Sequence, residues 1–166
     1  MIKYLDVRSS MKSGDIIAIS HTGWRTRRDI ESEIVRMATR SEFSHVGMLW
    51  LTGGRVFVLE AVTPTVTVSP LSKYKDFFWL AMNKPLSDTA LKTGLSHVGE
   101  RYSRLEAIWG FFGCNLKDNK KWECAEYVKV ILDANGVCIP GTDTPSNVVR
   151  WCMERFNCAI VEVQNA

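Results

Sequence analysis

Apolar and polar residues alternate along this chain in two rhythms, and the change of rhythm falls near Ser87. Upstream the apolar runs are short. GDIIAIS (14–20) reads as a turn feeding a strand, and His45 to Leu51 as a second strand. TGGR (52–55) is a tight turn, and VFVLEAV (56–62) is the hairpin partner that it returns. TVTVSPL and FFWLAMN add two more short strands. Between the first two strands, Ile30, Ile34, Val35 and Ala38 form one apolar helical face. Thr26, three residues before Asp29, opens that helix with a weak capping-box pattern.

Downstream the spacing turns helical. Helices are expected over 86–100, 103–112, 122–136 (with Gly136 just past its end) and 145–156, and CAIVEV (158–163) closes the chain as a strand. Strands first, helices after, with one returning strand, is an α+β order rather than a βαβ alternation. At 166 residues, with no linker or low-complexity segment, the chain is read as a single domain over 1–166. SHVG occurs at 44–47 and again at 96–99, but in a strand context and then a helix-end context, so it is no structural repeat.

Three positions put a reactive group inside an apolar element. His45 heads a strand, Glu60 shares a strand face with Val56, Val58 and Val62, and Cys124 lies in the first turn of a helix. A carboxylate among valines needs a partner, because burying it alone costs several kcal/mol or forces its protonation. A thiol at a helix N-terminus meets unpaired N–H groups that favour the thiolate and can donate to an oxyanion. An adjacent imidazole would take the thiol proton, and a carboxylate would fix the ring's tautomer. Each residue also has a purely structural reading: a core thiol, a satisfied strand histidine, and a glutamate paired with an arginine of the basic helix. His21 and His97 compete with His45 for the role of base.

Composition narrows the classes. A formal charge of +3 is too small to argue for nucleic acid, although RTRR (25–28) with Arg36 and Arg40 could favour an anionic ligand or surface. The five cysteines are odd in number and contain no CxxC pair, against both a disulfide framework and a four-cysteine zinc site. Free thiols in a reducing compartment fit better. No apolar h-region opens the chain and no apolar run approaches roughly 18 residues, so a cytoplasmic location without a membrane span is expected. Peripheral membrane contact is not favoured.

The GDI turn-strand, ATRSEFSHVGMLW, VLEAV, GERYS and WECAEYVKVIL, in that order, resemble the circularly permuted NlpC-type papain-like cysteine peptidase superfamily, in its YaeF/YiiX-like branch. Lecithin retinol acyltransferase-like proteins are more distant relatives. The resemblance runs from about Gly14 to Leu132. It implies an antiparallel sheet packed against helices, with Cys124 as nucleophile at a helix N-terminus, His45 as base and Glu60 as orienting residue. It implies that Tyr102 lines the site and helps bind the oxyanion, with no metal and no cofactor. Cys114, ten residues before Cys124, is read as a core residue. The expected function is a cysteine hydrolase acting on a peptide, amide or acyl-ester substrate through a thioester, with cell-wall peptides first among the candidates. The alternatives are a lipid acyltransferase or phospholipase of the same mechanism, and a non-catalytic binding or virion component.

Overall fold

Gly53 and Gly54 both take positive φ values, 55° and 71°, which a side chain would resist and which fit the tight turn of a hairpin. They join β3 (His45–Thr52) to β4 (Arg55–Val62), two antiparallel strands of eight residues each in the computed structural model, whose described residues are 1–20, 43–102 and 122–165. On the outer side of β4 lies β5 (Thr65–Pro70). On the outer side of β3 lies β2 (Ile16–Ile19), buried at all four positions, followed by β6 (Asp76–Leu80), β7 (Ile160–Gln164) and β1 (Ile2–Lys3). The sheet order is β1-β7-β6-β2-β3-β4-β5. Every neighbouring pair is antiparallel except β1 and β7, which run parallel, so the sheet is mixed where an antiparallel one was expected.

Strand alternation divides the core. Ile16, Ala18, Val46, Met48, Leu59 and Ala61 face one side, where they pack with helices α2 (Asp88–Ser96), α3 (Cys124–Ala134) and α4 (Pro145–Phe156). Ile17, Ile19, Leu49 and Val58 face the other side and meet Met11, Leu71 and the flank of a four-residue helix α1 (Tyr4–Val7). Within the helical layer, the fully buried Tyr127 donates its hydroxyl to the Gly94 carbonyl at 2.8 Å. The two helices are close here, since a Cβ on Gly94 would stand 3.0 Å from Ile131 Cδ1 and would press that side chain aside by a few tenths of an ångström.

The expected helix over 86–100 runs only over Asp88–Ser96. Ser87 caps its start by accepting from the Ala90 N–H, and the chain turns through His97–Gly99 before Arg101 bridges to Thr65 of β5. There, Val66 N–H donates to the Glu100 carbonyl at 2.8 Å, Gly99 N–H to Val66 at 2.9 Å, and Tyr102 N–H to Pro64 at 3.0 Å. The helix over 145–156 has the expected bounds, with Thr144 as its cap and Pro145 at its first turn. Strand β1 and helix α1 were not expected, because MIKYLDV carries neither periodicity. The helix expected over 26–40 with its basic residues, the one over 103–112 and the GCNLKDNKK segment (113–121) lie outside the described residues. Among the described residues, no helix is long and apolar enough to cross a membrane. The architecture is α+β, a mixed sheet packed against several helices, consistent in general terms with a papain-like arrangement.

Candidate functional site: a thiol, an imidazole and a buried carboxylate

The β3–β4 register pairs Met48 with Leu59. Continued by one residue, it sets Glu60 across from Gly47, one same-face step from His45. Gly47 leaves that face open: a Cβ there would stand 2.5 Å from Val58 Cγ1 and 3.5 Å from Glu60 Cβ. The Glu60 carboxylate therefore reaches back along the face, and His45 Nε2 donates to Glu60 Oε2 at 2.7 Å. The Glu60 side chain is wholly buried and that of His45 is 14% exposed.

Two further donors reach Glu60 from the turn after β5. Lys73 Nζ donates to Oε1 at 2.9 Å and the Tyr74 hydroxyl donates to Oε2. The Tyr74 ring also lies beside the imidazole, with centroids 6.3 Å apart and planes 27° from parallel. Both carboxylate oxygens are thus engaged, and the cost of burying the charge is offset by charged and neutral donors. Sequence reasoning missed Lys73 and Tyr74. KYKD reads as a polar turn, and nothing local shows that it folds back over a strand thirteen residues earlier.

Cys124 is the first residue of α3 and 7% exposed, and its side chain is near enough to act on the electrostatics of the His45 imidazole. Burial presses the His45 pKa down, but Cys124, the hydrogen bond to Glu60 and the charges of both outweigh it and raise the ring to about 9. Burial would raise Glu60, yet the His45 hydrogen bond and charge, helped by Ser69 and Tyr74, hold it at about 2. For Tyr74, burial comes first and the Glu60 charge second, and both keep its hydroxyl protonated as a donor. Cys152 is a different kind of thiol: burial pushes it to about 12, as befits a core residue.

The start of α3 is not bare. Glu123 caps it with a reciprocal capping box, its carboxylate accepting from the Glu126 N–H while Glu126 accepts from the Glu123 N–H. Part of the N–H array expected to serve an oxyanion is therefore already occupied by an anion. Tyr102, the expected oxyanion residue, is half-buried and bridges through its backbone to Trp122, two residues before Cys124. His97 belongs elsewhere: its Nδ1 meets Glu100 at 3.2 Å and its ring packs on Trp122 at 4.5 Å, while Trp122 Nε1 also donates to Glu100. His21 and Cys114 lie outside the described residues.

Among the described residues, no three His, Cys, Asp or Glu side chains are gathered so as to hold a metal ion. The reason at this site is that the third candidate, Glu60, stands behind the imidazole with its oxygens spent, which leaves Cys124 and His45 as a pair.

No family model and no curated protein matches the chain. Among solved structures, it resembles the crystal structure of metalloprotein yiiX from Escherichia coli O157:H7, with a TM-score of 0.57 and 25% identity over 78% of this chain and 69% of that one. The likeness links the chain to the YiiX-like fold. It does not carry the NlpC-type peptidase mechanism, and it overturns the expectation of a cysteine hydrolase working through a thioester, together with the acyltransferase variant of that chemistry. The physical reason is that cysteine, histidine and glutamate in this order do not specify one chemistry. A thiolate and an imidazole backed by a carboxylate form a nucleophile and base, or equally a pair of metal donors with an outer partner.

Proposed function

We propose that this domain is a metal-binding protein of the YiiX-like fold, and that Cys124 and His45 supply its protein donors for a thiophilic divalent cation such as zinc. The observation that carries this reading is the division of labour on the imidazole. Nε2 is committed to the buried Glu60 at 2.7 Å, so Nδ1 is the nitrogen left for a cation shared with the Cys124 sulfur. A carboxylate on the far nitrogen of a ligating histidine fixes the ring and raises its basicity, which is the arrangement of outer partners around protein-bound zinc.

The donor types fit such a cation, and their number sets the kind of site. Two protein donors leave the remaining positions to water or a ligand, as in an open site rather than a closed structural one. A cation held there would act as a Lewis acid and lower the pKa of a bound water. The protein's own part is to keep the sulfur and the ring in place and to exclude bulk water, which the low exposure of both side chains supports. The finer reading of the fold that goes with this is a permuted papain-like arrangement, in which the histidine strand precedes the cysteine helix.

Titration of the metal-free protein with cobalt(II) tests the reading, because thiolate ligation gives a sulfur-to-cobalt charge-transfer band. We expect one equivalent to bind with that band. Cys124→Ser should abolish the band, and His45→Ala should weaken binding by at least tenfold. No band in the wild-type protein, or a band that survives Cys124→Ser, overturns the proposal.

A further inference from the structure

Lys73 and Tyr74 sit outside any donor set, yet both are aimed at the one group that aims His45. Tyr74 donates to Glu60 Oε2, the same oxygen that receives His45 Nε2, and its ring flanks the imidazole at a 27° tilt. Lys73 Nζ holds the opposite oxygen at 2.9 Å, is 3.4 Å from Ser69 Oγ, and lies 5.3 Å above the Tyr74 ring centre. A lone carboxylate can rotate about its last torsion, which is broad and nearly two-fold. With a separate donor on each oxygen, rotation would break a bond at both ends.

We infer that Lys73 and Tyr74 are positioning residues: by locking the Glu60 carboxylate they fix the plane of the His45 ring, and so the direction in which Nδ1 points. The inference rests on the proposed site but concerns the ring's orientation, which is present without any cation. A structural role alone would predict a different result. If the two residues merely satisfied a buried charge, their loss would lower stability and leave the imidazole's hydrogen bond as it was.

The experiment has two arms, each run on Tyr74→Phe, Lys73→Met and Lys73→Arg. The first follows the His45 Nε2–H by nitrogen-edited NMR in the metal-free protein, where the bond to Glu60 should make this proton slow to exchange. We expect its exchange to quicken by tenfold or more in Tyr74→Phe and Lys73→Met, with Lys73→Arg close to wild type because a guanidinium can replace the ammonium as a donor. The second arm measures cobalt(II) affinity, expected to fall by about tenfold in the two disruptive variants, the lower end of what an outer-partner loss costs. Unchanged proton exchange in both variants, at whatever stability they show, overturns the inference. If cobalt fails to bind the wild-type protein while the exchange arm behaves as expected, the metal reading falls and the positioning role stands. Should Tyr74→Phe not fold, Lys73→Met decides alone, since the Lys73 side chain is 44% exposed and can be shortened of its charge without opening the core.

Discussion

Gly47 and Val58 meet across the β3–β4 pair with no room between them for a methyl group, since a Cβ on Gly47 would lie 2.5 Å from Val58 Cγ1 and 3.3 Å from the Leu59 carbonyl. A β-branched side chain on a central strand cannot swing away cheaply. Gly47→Ala should therefore destabilise the protein by about 1–3 kcal/mol, the usual cost of overpacking a filled core. Urea unfolding would measure it. Val58→Ala placed on top of Gly47→Ala should restore part of the loss, and strict additivity of the two changes would show that the contact is not the cause.

The His45–Glu60 pair makes a prediction about acid and base. The folded pKa of His45 is raised from 6.5 to about 9, so its contribution to stability is complete below 6.5 and fades as pH rises through about 9. That of Glu60 is lowered from 4.5 to about 2, so its contribution is complete above 4.5 and is lost as pH falls toward 2. The two overlap fully only between those limits. The stability difference between the wild-type protein and the double variant His45→Gln/Glu60→Gln should be greatest from about pH 4.5 to 6.5 and shrink on both sides. A flat difference from pH 2 to 10 would contradict it.

Proton competition should govern cation binding as well. At neutral pH the His45 ring carries a proton that a cation must displace. Calorimetry in buffers of different ionisation enthalpy should show proton release on binding, and apparent affinity should rise with pH by up to about tenfold per unit toward pH 9. Affinity that does not change over that range would place the cation somewhere other than His45.

The two SHVG segments give a paired control. His97→Ala touches an exposed cluster with Glu100 and Trp122, so it should alter cobalt affinity by less than about twofold, whereas His45→Ala should lower it by at least about tenfold. Equal effects of the two changes would mean that the strand histidine has been given the wrong role.

Tyr127→Phe removes the hydroxyl that joins α3 to the Gly94 carbonyl of α2 inside the core. A cost of about 0.5–1.5 kcal/mol is expected, and more if the carbonyl is left dry. Thermal unfolding would register it as a drop of several degrees. An unchanged midpoint would mean that water replaces the hydroxyl.

The hairpin, the central strand and the α4 helix were legible because their signals are local: Gly53–Gly54 between two apolar runs, IIAI unbroken by polar residues, and Thr144–Pro145 before a periodic segment. His45, Glu60 and Cys124 could be picked out as reactive groups in apolar settings, and His45 and Glu60 are joined by a hydrogen bond of 2.7 Å. Their partners were not visible. Tyr74 reaches Glu60 from fourteen residues away, through a turn whose direction depends on β5 having already docked. The pairing of β1 with β7 joins residues more than 150 positions apart, and two-residue pairing leaves no periodicity to read. Chemistry was the least legible part, because the same residue types that activate a thiol also ligate a cation.

The run of chain from Gly99 to Tyr102 along β5 has a consequence for how this protein behaves in crowded company. An open outer strand is a template on which another chain can build, and sheets of this size face that hazard at both margins. Here Val66 of β5 spends its N–H on Glu100 and its carbonyl on Gly99, Tyr102 closes on Pro64 just before the strand, and the last residue, Pro70, has no N–H to offer a newcomer. At the opposite margin β1 is only two residues long. A short stretch of bonded backbone and a truncated border strand thus guard the sheet against self-association, and changes that loosen residues 99–102 should be felt first as a tendency to form fibrils.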